Sequence, residues 1–317
     1  MEFIKDFRWK PNMKISEAVK QFSALGFQSI ELAKASDIIY KMKKENAKIF
    51  LTFPSNLTTS GLRGFFAQLV ELGMVDIIVT TAGSIEEDIM KAIGEKFIIS
   101  RFDADDVALH ERGNNRVGNI LITNDSYARF EGFIIKLLKK ICKEKGKSCF
   151  STAELLHEIG KKLNDRNSIL YQAAKHNVKI FCPAIADASL GFQLFMLRDY
   201  VKNFQIDVIK DFEEINFETS QEQRKGIIAL GGGVSKHYAI LSTVLSGGMD
   251  YAIYITTSRQ YSGSLSGATT SEAKSWGKIK DDSDSVTVYG DATILFPIAM
   301  ANALDRLYKE KIIRFRK

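Results

Sequence analysis

The residues best suited to covalent chemistry lie in the segment 254–278. This segment leaves a predicted strand, crosses a Gly/Ser/Thr-rich loop, forms a short helical run and ends in Ser-Trp-Gly-Lys. A lysine is protonated at neutral pH and becomes a nucleophile only where burial or nearby positive charge lowers its pKa. Trp276 would supply an apolar wall beside Lys278, and a cationic substrate would add repulsion. Lys278 is therefore a candidate nucleophile, with a surface lysine that closes a helix as the alternative.

Two other sets of polar residues follow predicted strands. The glycines at 231–233 lie between a strand and a helix, where a bare backbone can approach a pyrophosphate. They equally fit a tight turn, and they do not form G-x-G-x-x-G. His237 follows them closely, although a lone histidine is usually structural. Glu86, Glu87 and Asp88 stand at a predicted helix start, where they could cap the helix or receive a cation.

Composition indicates an ordinary globular protein. Of its 317 residues, 45% are hydrophobic and 26% are charged. The 44 Lys and Arg exceed the 38 Asp and Glu, giving a net charge of +6, which favours an acidic partner or an anionic ligand. No basic stretch carries a nucleic-acid-binding signature, so we expect no nucleic-acid partner.

The remaining composition limits the cellular setting. The first residues are too charged for a signal peptide, and no apolar run reaches the length of a membrane span. The three cysteines form no C-x-x-C pair, which argues against a disulfide framework. No His, Cys, Asp and Glu residues have the spacing of metal ligands. We therefore expect a cytoplasmic protein with no metal and no membrane segment.

The elements that must position these residues repeat as strand, polar loop and helix. Short apolar strands are predicted at 48–53, 75–80, 179–182, 226–230, 250–255 and 285–289. Alternation of such strands with helices predicts an α/β fold, a Rossmann-like, doubly wound and mainly parallel sheet with helices on both faces. In such folds the loops at the carboxyl ends of the strands line the ligand crevice.

Other parts of the chain are predicted to be helical. Residues 1–46 form a helical N-terminal segment, and residues 97–177 read as a mostly helical insertion, with helices at 126–145, 152–163 and 168–176. Because no Pro/Gly/Ser-rich linker flanks the insertion, we expect one domain over 1–317. A separate helical domain is the alternative.

Five motifs together carry a family resemblance. They are Pro-Ser-Asn-Leu-Thr-Thr-Ser-Gly at 54–61, Val-Thr-Thr-Ala-Gly-Ser-Ile-Glu-Glu-Asp at 79–88, Gly-Gly-Gly-Val-Ser-Lys-His at 231–237, Ser-Trp-Gly-Lys-Ile at 275–279 and Gly-Asp-Ala at 290–292. With these motifs in this order, the sequence resembles the deoxyhypusine synthase family, and the resemblance runs from about Asp6 to the last helix. The resemblance implies an NAD-dependent transfer of the aminobutyl group of spermidine. The group is held as an imine on an enzyme lysine and passes to a lysine of translation initiation factor 5A.

The resemblance also assigns roles to residues. Lys278 matches the covalent lysine, and His237 matches a histidine that contacts the polyamine and assists proton transfer. The matches to NAD-contacting positions are Ser55, Asn56, Leu57, Thr58, Thr59, Thr81, Ala82, Gly83, Glu87, Asp187, Gly232, Thr257, Ser258, Asp291 and Ala292. The matches to polyamine positions are Glu86, Glu87, His237, Tyr254, Gly263, Ser264, Glu272, Trp276 and Lys278.

Two departures bear on the substrate. Phe192 and Leu265 stand where the eukaryotic pattern has aspartates, so two anionic contacts for an amine are missing. The short chain looks like the archaeal branch of the family. A homospermidine synthase-type transfer to putrescine and a catalytically silent NAD-binding regulatory subunit are the alternative readings. The family further implies a homotetramer with active sites shared across dimer interfaces.

Overall fold

The computed structural model describes residues 3–315. Its strands are β1 (Lys48–Phe53), β2 (Ile77–Thr80), β3 (Ile98–Ile99), β4 (Asn114–Val117), β5 (Ile120–Thr123), β6 (Cys149–Phe150), β7 (Lys179–Phe181), β8 (Gln205–Ile206), β9 (Lys225–Leu230), β10 (Met249–Thr256) and β11 (Ile279–Tyr289). Its α-helices are α1 (Ile15–Phe22), α2 (Gln28–Lys44), α3 (Ser55–Leu57), α4 (Arg63–Glu71), α5 (Ala82–Ala92), α6 (Asp106–Glu111), α7 (Asn124–Lys145), α8 (Thr152–Gly160), α9 (Ile169–His176), α10 (Ser189–Leu197), α11 (Val208–Thr219), α12 (Val234–Leu241), α13 (Thr270–Lys274) and α14 (Ala292–Lys309). Within residues 3–315 no helix is both long and apolar enough to span a membrane.

The chain divides into two compact units. The first comprises Met1–Phe53, Leu72–Val79 and Glu214–Lys317, and the second comprises Pro54–Glu71 and Thr80–Glu213. The single domain expected over 1–317 stays a prediction.

A parallel sheet forms the core of the first unit. Its strands lie in the order β11-β10-β9-β1-β2, so the order reverses beside β1, as in doubly wound folds. The pairs β1–β9, β9–β10 and β10–β11 are all parallel. All six residues of β9 are buried, and its last four are apolar, as expected of a central strand in a parallel sheet.

Helices cover both faces of this sheet. Tyr251 and Tyr254 on β10 are three residues apart, so their side chains point to opposite faces. The Nζ atom of Lys41 on α2 lies 5.7 Å from the ring centroid of Tyr251, whereas Nζ of Lys236 on α12 lies 4.5 Å from that of Tyr254. Helices α2 and α12 therefore pack on opposite faces, and the predicted Rossmann-like α/β fold is confirmed.

Three loops of the first unit meet at the carboxyl edge of the sheet. The amide of Gly231, after β9, donates to the carbonyl of Ile255 on β10 at 2.8 Å. The amide of Gly290, after β11, donates to the carbonyl of Thr256 at 3.0 Å. A Cβ added to Gly232 would lie only 2.4 Å from Cα of Ser266, so the triple-glycine turn must pass close to the loop that follows β10. Only glycine permits that approach.

The second unit is mostly helical, as predicted for residues 97–177. Helices α6 to α9 occupy much of that stretch, and α9 packs against α4 and α8. The sequence did not predict the small antiparallel sheet in the order β3-β5-β4. Its strands are only two to four residues long, so they carry little period-two signal.

Two boundaries differ from prediction in ways that affect the site. The polar loop predicted to follow the strand at 48–53 is instead helical. It contains α3 and an irregular helical turn, Thr58–Leu62, in which Gly61 has φ of 105°, before α4 begins at Arg63. Strand β11 begins at Ile279 rather than at residue 285, so Lys278 directly precedes a strand.

Candidate active site

The backbone of Lys278 is fixed between a helix and a strand. After α13, Gly277 adopts φ of 64° and reverses the chain. The amide of Lys278 donates to the carbonyl of Ala273 at 3.1 Å, and its own carbonyl accepts from the amide of Met249, also at 3.1 Å. These bonds direct the lysine side chain from a rigid support, as a nucleophile requires.

The Lys278 amine contacts a histidine from another helix. Its Nζ atom lies 3.1 Å from Nε2 of His237, in the first turn of α12. Burial, Lys278 and Lys236, in decreasing order of effect, lower the pKa of His237. A histidine kept neutral in this way can accept a proton from the lysine amine.

Trp276 lies beside the amine but does not bury it. Nζ of Lys278 is 4.9 Å from the centroid of a Trp276 ring, within cation–π range. The indole is 66% exposed, however, and Lys278 is half-buried. The apolar shielding expected from Trp276 is therefore incomplete in the single chain, and the ring's main interaction is with the charged form of the amine.

A cavity of about 340 Å³ opens beside Lys278, and we call it the lysine pocket. It brings together six residues matched to polyamine positions: His237, Tyr254, Gly263, Glu272, Trp276 and Lys278. Its other lining residues are Lys236, Ile240, Leu265, Ala268, Thr269 and Ala273. Ser264 is not among them, because its hydroxyl accepts from the amide of Ser266 and caps a short turn.

Tyr254 lines this pocket but is almost fully buried. It is 1% exposed, and its hydroxyl has no hydrogen-bond partner among the described residues. Burial, with a smaller contribution from Glu272, raises the pKa of this phenol, so it stays protonated. The face of its ring contacts Lys236. Lys236 belongs to the motif at 231–237, but sequence reasoning assigned it no role.

The remaining cofactor-matched residues of the first unit lie at the carboxyl edge of the sheet. Asp291 caps α14, accepting from the amide of Thr293 at 2.7 Å, and Ala292 begins that helix. The Ser258 amide donates to the hydroxyl of Thr256 at 3.0 Å. Gly232 follows β9, Thr257 and Ser258 follow β10, and Asp291 and Ala292 follow β11.

A second cofactor-matched group lies in the second unit, around residues 55–59. The Thr59 hydroxyl donates to Oε2 of Glu87 at 2.5 Å. The buried end of Lys91 donates to the carbonyls of Thr58 and Thr59 at 3.0 and 3.1 Å. The amine thus fixes the turn that contains Ser55, Asn56 and Leu57, and sequence reasoning missed this role.

The segment 81–83 approaches this turn closely. A Cβ on Gly83 would lie 2.9 Å from Cβ of Ser55, so glycine allows α5 and α3 to meet. Thr81, the N-cap of α5, makes no side-chain cap hydrogen bond. Its hydroxyl is buried and has no partner among the described residues. Ala82 is buried at the start of the helix.

Glu86 and Glu87, which we call the glutamate pair, are almost fully buried. Glu86 is 6% exposed and Glu87 is 5% exposed. The Leu190 amide donates to Oε2 of Glu86 at 2.8 Å. Burial raises the pKa of each carboxyl to about 7 despite these hydrogen bonds. Sequence reasoning also missed Tyr127, whose pKa is raised to about 12 by burial and by the glutamate pair.

Asp88, the next residue, has a structural role instead. It accepts from Nε of Arg63 at 2.5 Å, from the Ser168 hydroxyl at 2.8 Å, and from the amides of Ile169 and Leu170 at 3.1 and 2.9 Å. Asp88 therefore caps α9, a different helix from its own. The sequence had placed all three acids at a helix start, whereas the first turn of α5 contains none.

The two residues that stand where the eukaryotic pattern has aspartates, Leu265 and Phe192, differ in their exposure. Leu265 is half-buried in the wall of the lysine pocket, while Phe192 on α10 is 61% exposed. Asp187, matched to a cofactor position, lies exposed in the turn before α10. Within residues 3–315, no group of three or more His, Cys, Asp or Glu residues could hold a metal ion.

Known proteins resemble this chain over most of its length. Residues 17–303 match the family model described as Deoxyhypusine synthase. The chain is 36% identical to the deoxyhypusine synthase of Kluyveromyces lactis, over 92% of this chain and 88% of that protein. It is 39% identical to a "probable deoxyhypusine synthase" of Thermococcus kodakarensis, over 90% of this chain and 88% of that protein. A crystal structure of a "putative deoxyhypusine synthase" from Entamoeba histolytica is similar with a TM-score of 0.66 and 26% identity, covering 95% of this chain and 97% of that one.

Proposed function

We propose that this chain, which belongs to the deoxyhypusine synthase family, transfers the aminobutyl group of spermidine to a lysine of the translation initiation factor 5A precursor. The observation that carries the proposal is the 3.1 Å contact between Nζ of Lys278 and Nε2 of His237 in the wall of a cavity. A surface lysine that merely closed a helix would need neither the histidine nor the cavity.

The two side chains have complementary roles in the proposed reaction. Lys278 adds to the C=N carbon of the oxidised amine, and His237 accepts a proton from its Nζ. The same proton can then go to the departing diaminopropane, which leaves an imine between Lys278 and the four-carbon group. The acceptor lysine displaces Lys278 by a second amine exchange at the same carbon.

Several features of the chain fit NAD. The lack of a side chain lets Gly83 lie against Ser55 and Gly232 against Ser266, so each of these two loops packs closely on its neighbouring segment. The first turns of α5 and α12 lack side-chain caps, so their amides are available to an anion such as a pyrophosphate. When bound, NAD would accept a hydride from the amine and return it at the end of the reaction. Residues 55–59, 81–83, 257, 258, 291 and 292 are proposed to hold it, together with Glu87, Asp187 and Gly232.

Carboxylates are proposed to receive the ammonium groups of the polyamine. Glu272 lies in the wall of the lysine pocket, and the glutamate pair provides two more acids. We also propose a homotetramer whose active sites are shared across dimer interfaces. In that arrangement the glutamate pair and the NAD loops need not come from the chain that supplies Lys278.

A trapping experiment tests the proposal. The protein is incubated with NAD and labelled spermidine, reduced with borohydride and digested, and the labelled peptide is located. Label is expected on Lys278 and absent from Lys278→Ala. Lys274→Ala is the matched control, because Lys274 lies outside the lysine pocket and its amine donates to the Asp281 carbonyl. Absence of label from the folded wild-type protein would refute the proposal.

The acceptor is tested in a second step. The labelled enzyme is offered either the factor 5A precursor or putrescine, and the product is identified. Transfer to the factor's lysine supports deoxyhypusine synthesis, whereas transfer to putrescine alone would favour homospermidine synthesis. Leu265 in the pocket wall, which removes an expected anionic contact, makes this comparison necessary.

A further inference from the structure

A second lysine lies in the wall of the lysine pocket and is more buried than Lys278. Lys236, next to His237 on α12, is 1% exposed. Its Nζ atom donates to the carbonyl of Ala268 at 3.0 Å and lies 4.5 Å from the ring centroid of Tyr254. Because it is so deeply buried, Lys236 does not offer its amine to a substrate as Lys278 does.

The bond to Ala268 fixes the wall of the pocket. Ala268 ends the short turn Leu265–Gly267, and the next residue, Thr269, caps α13 through its hydroxyl. Gly267 is tightly enclosed, since an added Cβ would lie 2.1 Å from the carbonyl oxygen of Arg259. Lys236 therefore connects α12, the helix that contains His237, to the loop before α13. Lys278 follows α13.

The charge of Lys236 also acts on the site. Among residues 3–315 no carboxylate lies within ion-pair distance of it, and Glu272 on α13 is the acid that acts on it from further away. Tyr254 on β10 faces it with a neutral ring, and His237 and Lys278 complete the charged or titratable groups around it. Burial lowers the pKa of Lys236 to about 8, so it is largely cationic at neutral pH. A cation here disfavours a second positive charge on His237.

We propose that Lys236 is a positioning residue of the transfer reaction, which holds the pocket wall through Ala268 and keeps His237 neutral as the proton acceptor for Lys278. The kinetic part of this inference rests on the proposed function. The electrostatic part concerns His237 alone and can be measured without turnover.

The electrostatic part is tested by NMR titration of histidine labelled at Cε1, with the His237 signal assigned from a His237→Asn variant. In the wild type, His237 is expected to titrate at lower pH than an ordinary histidine, with a second inflection near the pKa of Lys236. In Lys236→Met the pKa of His237 is expected to rise and the second inflection to vanish, and Lys236→Arg is expected to keep it low. The wild-type inflection needs no variant to fold, so its absence would by itself overturn this part.

The kinetic part is tested by the single-turnover rate of borohydride-trappable label on Lys278. Lys236→Met is expected to slow labelling by about 10- to 100-fold at neutral pH, as for a lost charged hydrogen bond, and Lys236→Arg is expected to restore most of the rate. An unchanged rate, or a slower rate with an unshifted His237 titration, would overturn the proposal. If the wild type takes no label, the proposed function fails, while the titration still decides the effect of Lys236 on His237.

Discussion

Two regions of the molecule bury ionisable side chains with few counter-charges, and they carry opposite charge. The lysine pocket of the first unit groups Lys236, His237 and Lys278 with one acid, Glu272. The glutamate pair of the second unit groups two carboxyls with a hydroxyl and a backbone amide. In both, burial favours the neutral form of the group it encloses, lowering the pKa of Lys236 and raising those of the two acids.

The comparison shows what each region is suited to do. Burial and two lysines favour the neutral form of His237, which can accept a proton from the Lys278 amine, so the lysine pocket is suited to making and breaking bonds to carbon. Buried carboxyls with few donors gain most from an incoming cation, so the glutamate pair is suited to binding an amine. Asp88 is the internal reference, because it is equally buried yet has four donors from its own unit.

The largest expected effect comes from removing the proton acceptor of the lysine pocket. His237→Asn is expected to slow imine formation on Lys278 by about 10²- to 10⁴-fold, because the lysine amine loses a positioned general base. The rate is measured by single-turnover borohydride trapping. His110→Asn on the exposed helix α6 is the control and should leave the rate unchanged. Equal rates for His237→Asn and the wild type would show that the 3.1 Å contact has no catalytic role.

The next effect separates the reference acid from the glutamate pair. Asp88→Asn breaks a buried pair with Arg63 and weakens the cap of α9, so a loss of about 3–5 kcal/mol in the free energy of unfolding is expected. Glu87→Gln keeps an acceptor for the Thr59 hydroxyl and removes a carboxyl that burial disfavours when charged. Its loss should be much smaller.

Urea unfolding at pH 7.5, followed by far-UV circular dichroism, measures both variants. Comparable losses would mean that the glutamate pair is held by its partners as firmly as Asp88 is. The distinction between a structural acid and a binding acid would then fail.

Local sequence patterns predicted the strands of the first unit well, but not all of their bounds. Strand β1 was predicted over residues 48–53, the bounds that the structure gives it, because four of its six residues are apolar. The first half of β11 was missed because Lys280, Asp281, Asp282 and Ser283 are poor strand formers. Strand β11 is an edge strand of the sheet, and polar residues are tolerated more readily there than in a central strand.

Candidate site residues could be predicted from the sequence where they belong to a short motif of consecutive residues. Lys278 and His237 could be proposed from their motifs, and their side chains are in contact in the structure. The different roles of Glu86, Glu87 and Asp88 could not, because the donors to Asp88 come from Arg63 and from the start of α9. The deep burial of the Lys236 side chain could not be predicted either, because it depends on a loop about thirty residues later in the chain.

The smallest expected effects are two opposite pH dependences of stability. The glutamate pair has pKa values of about 7 in the folded protein against an ordinary 4.5, so the folded state binds more protons than the unfolded state between these values. Its contribution to stability is therefore full below pH 4.5 and lost as the pH rises through 7. Lys236 has a pKa of about 8 against an ordinary 10.5, so the folded state binds fewer protons in that window and stability rises with pH there.

These windows can be separated because each belongs to one region. The free energy of urea unfolding is measured from pH 4.5 to 10.5 for the wild type, for Glu86→Gln with Glu87→Gln, and for Lys236→Met. The differences from the wild type remove the contributions of groups whose pKa the substitutions leave unchanged. The double glutamine variant should change the slope between pH 4.5 and 7 and leave it unchanged above pH 8. Lys236→Met should change the slope between pH 8 and 10.5, with a further change below pH 6.5 because the pKa of His237 rises. A change of slope above pH 8 in the double glutamine variant, or an unchanged slope between pH 8 and 10.5 in Lys236→Met, would show that burial does not shift the pKa values of the two regions independently.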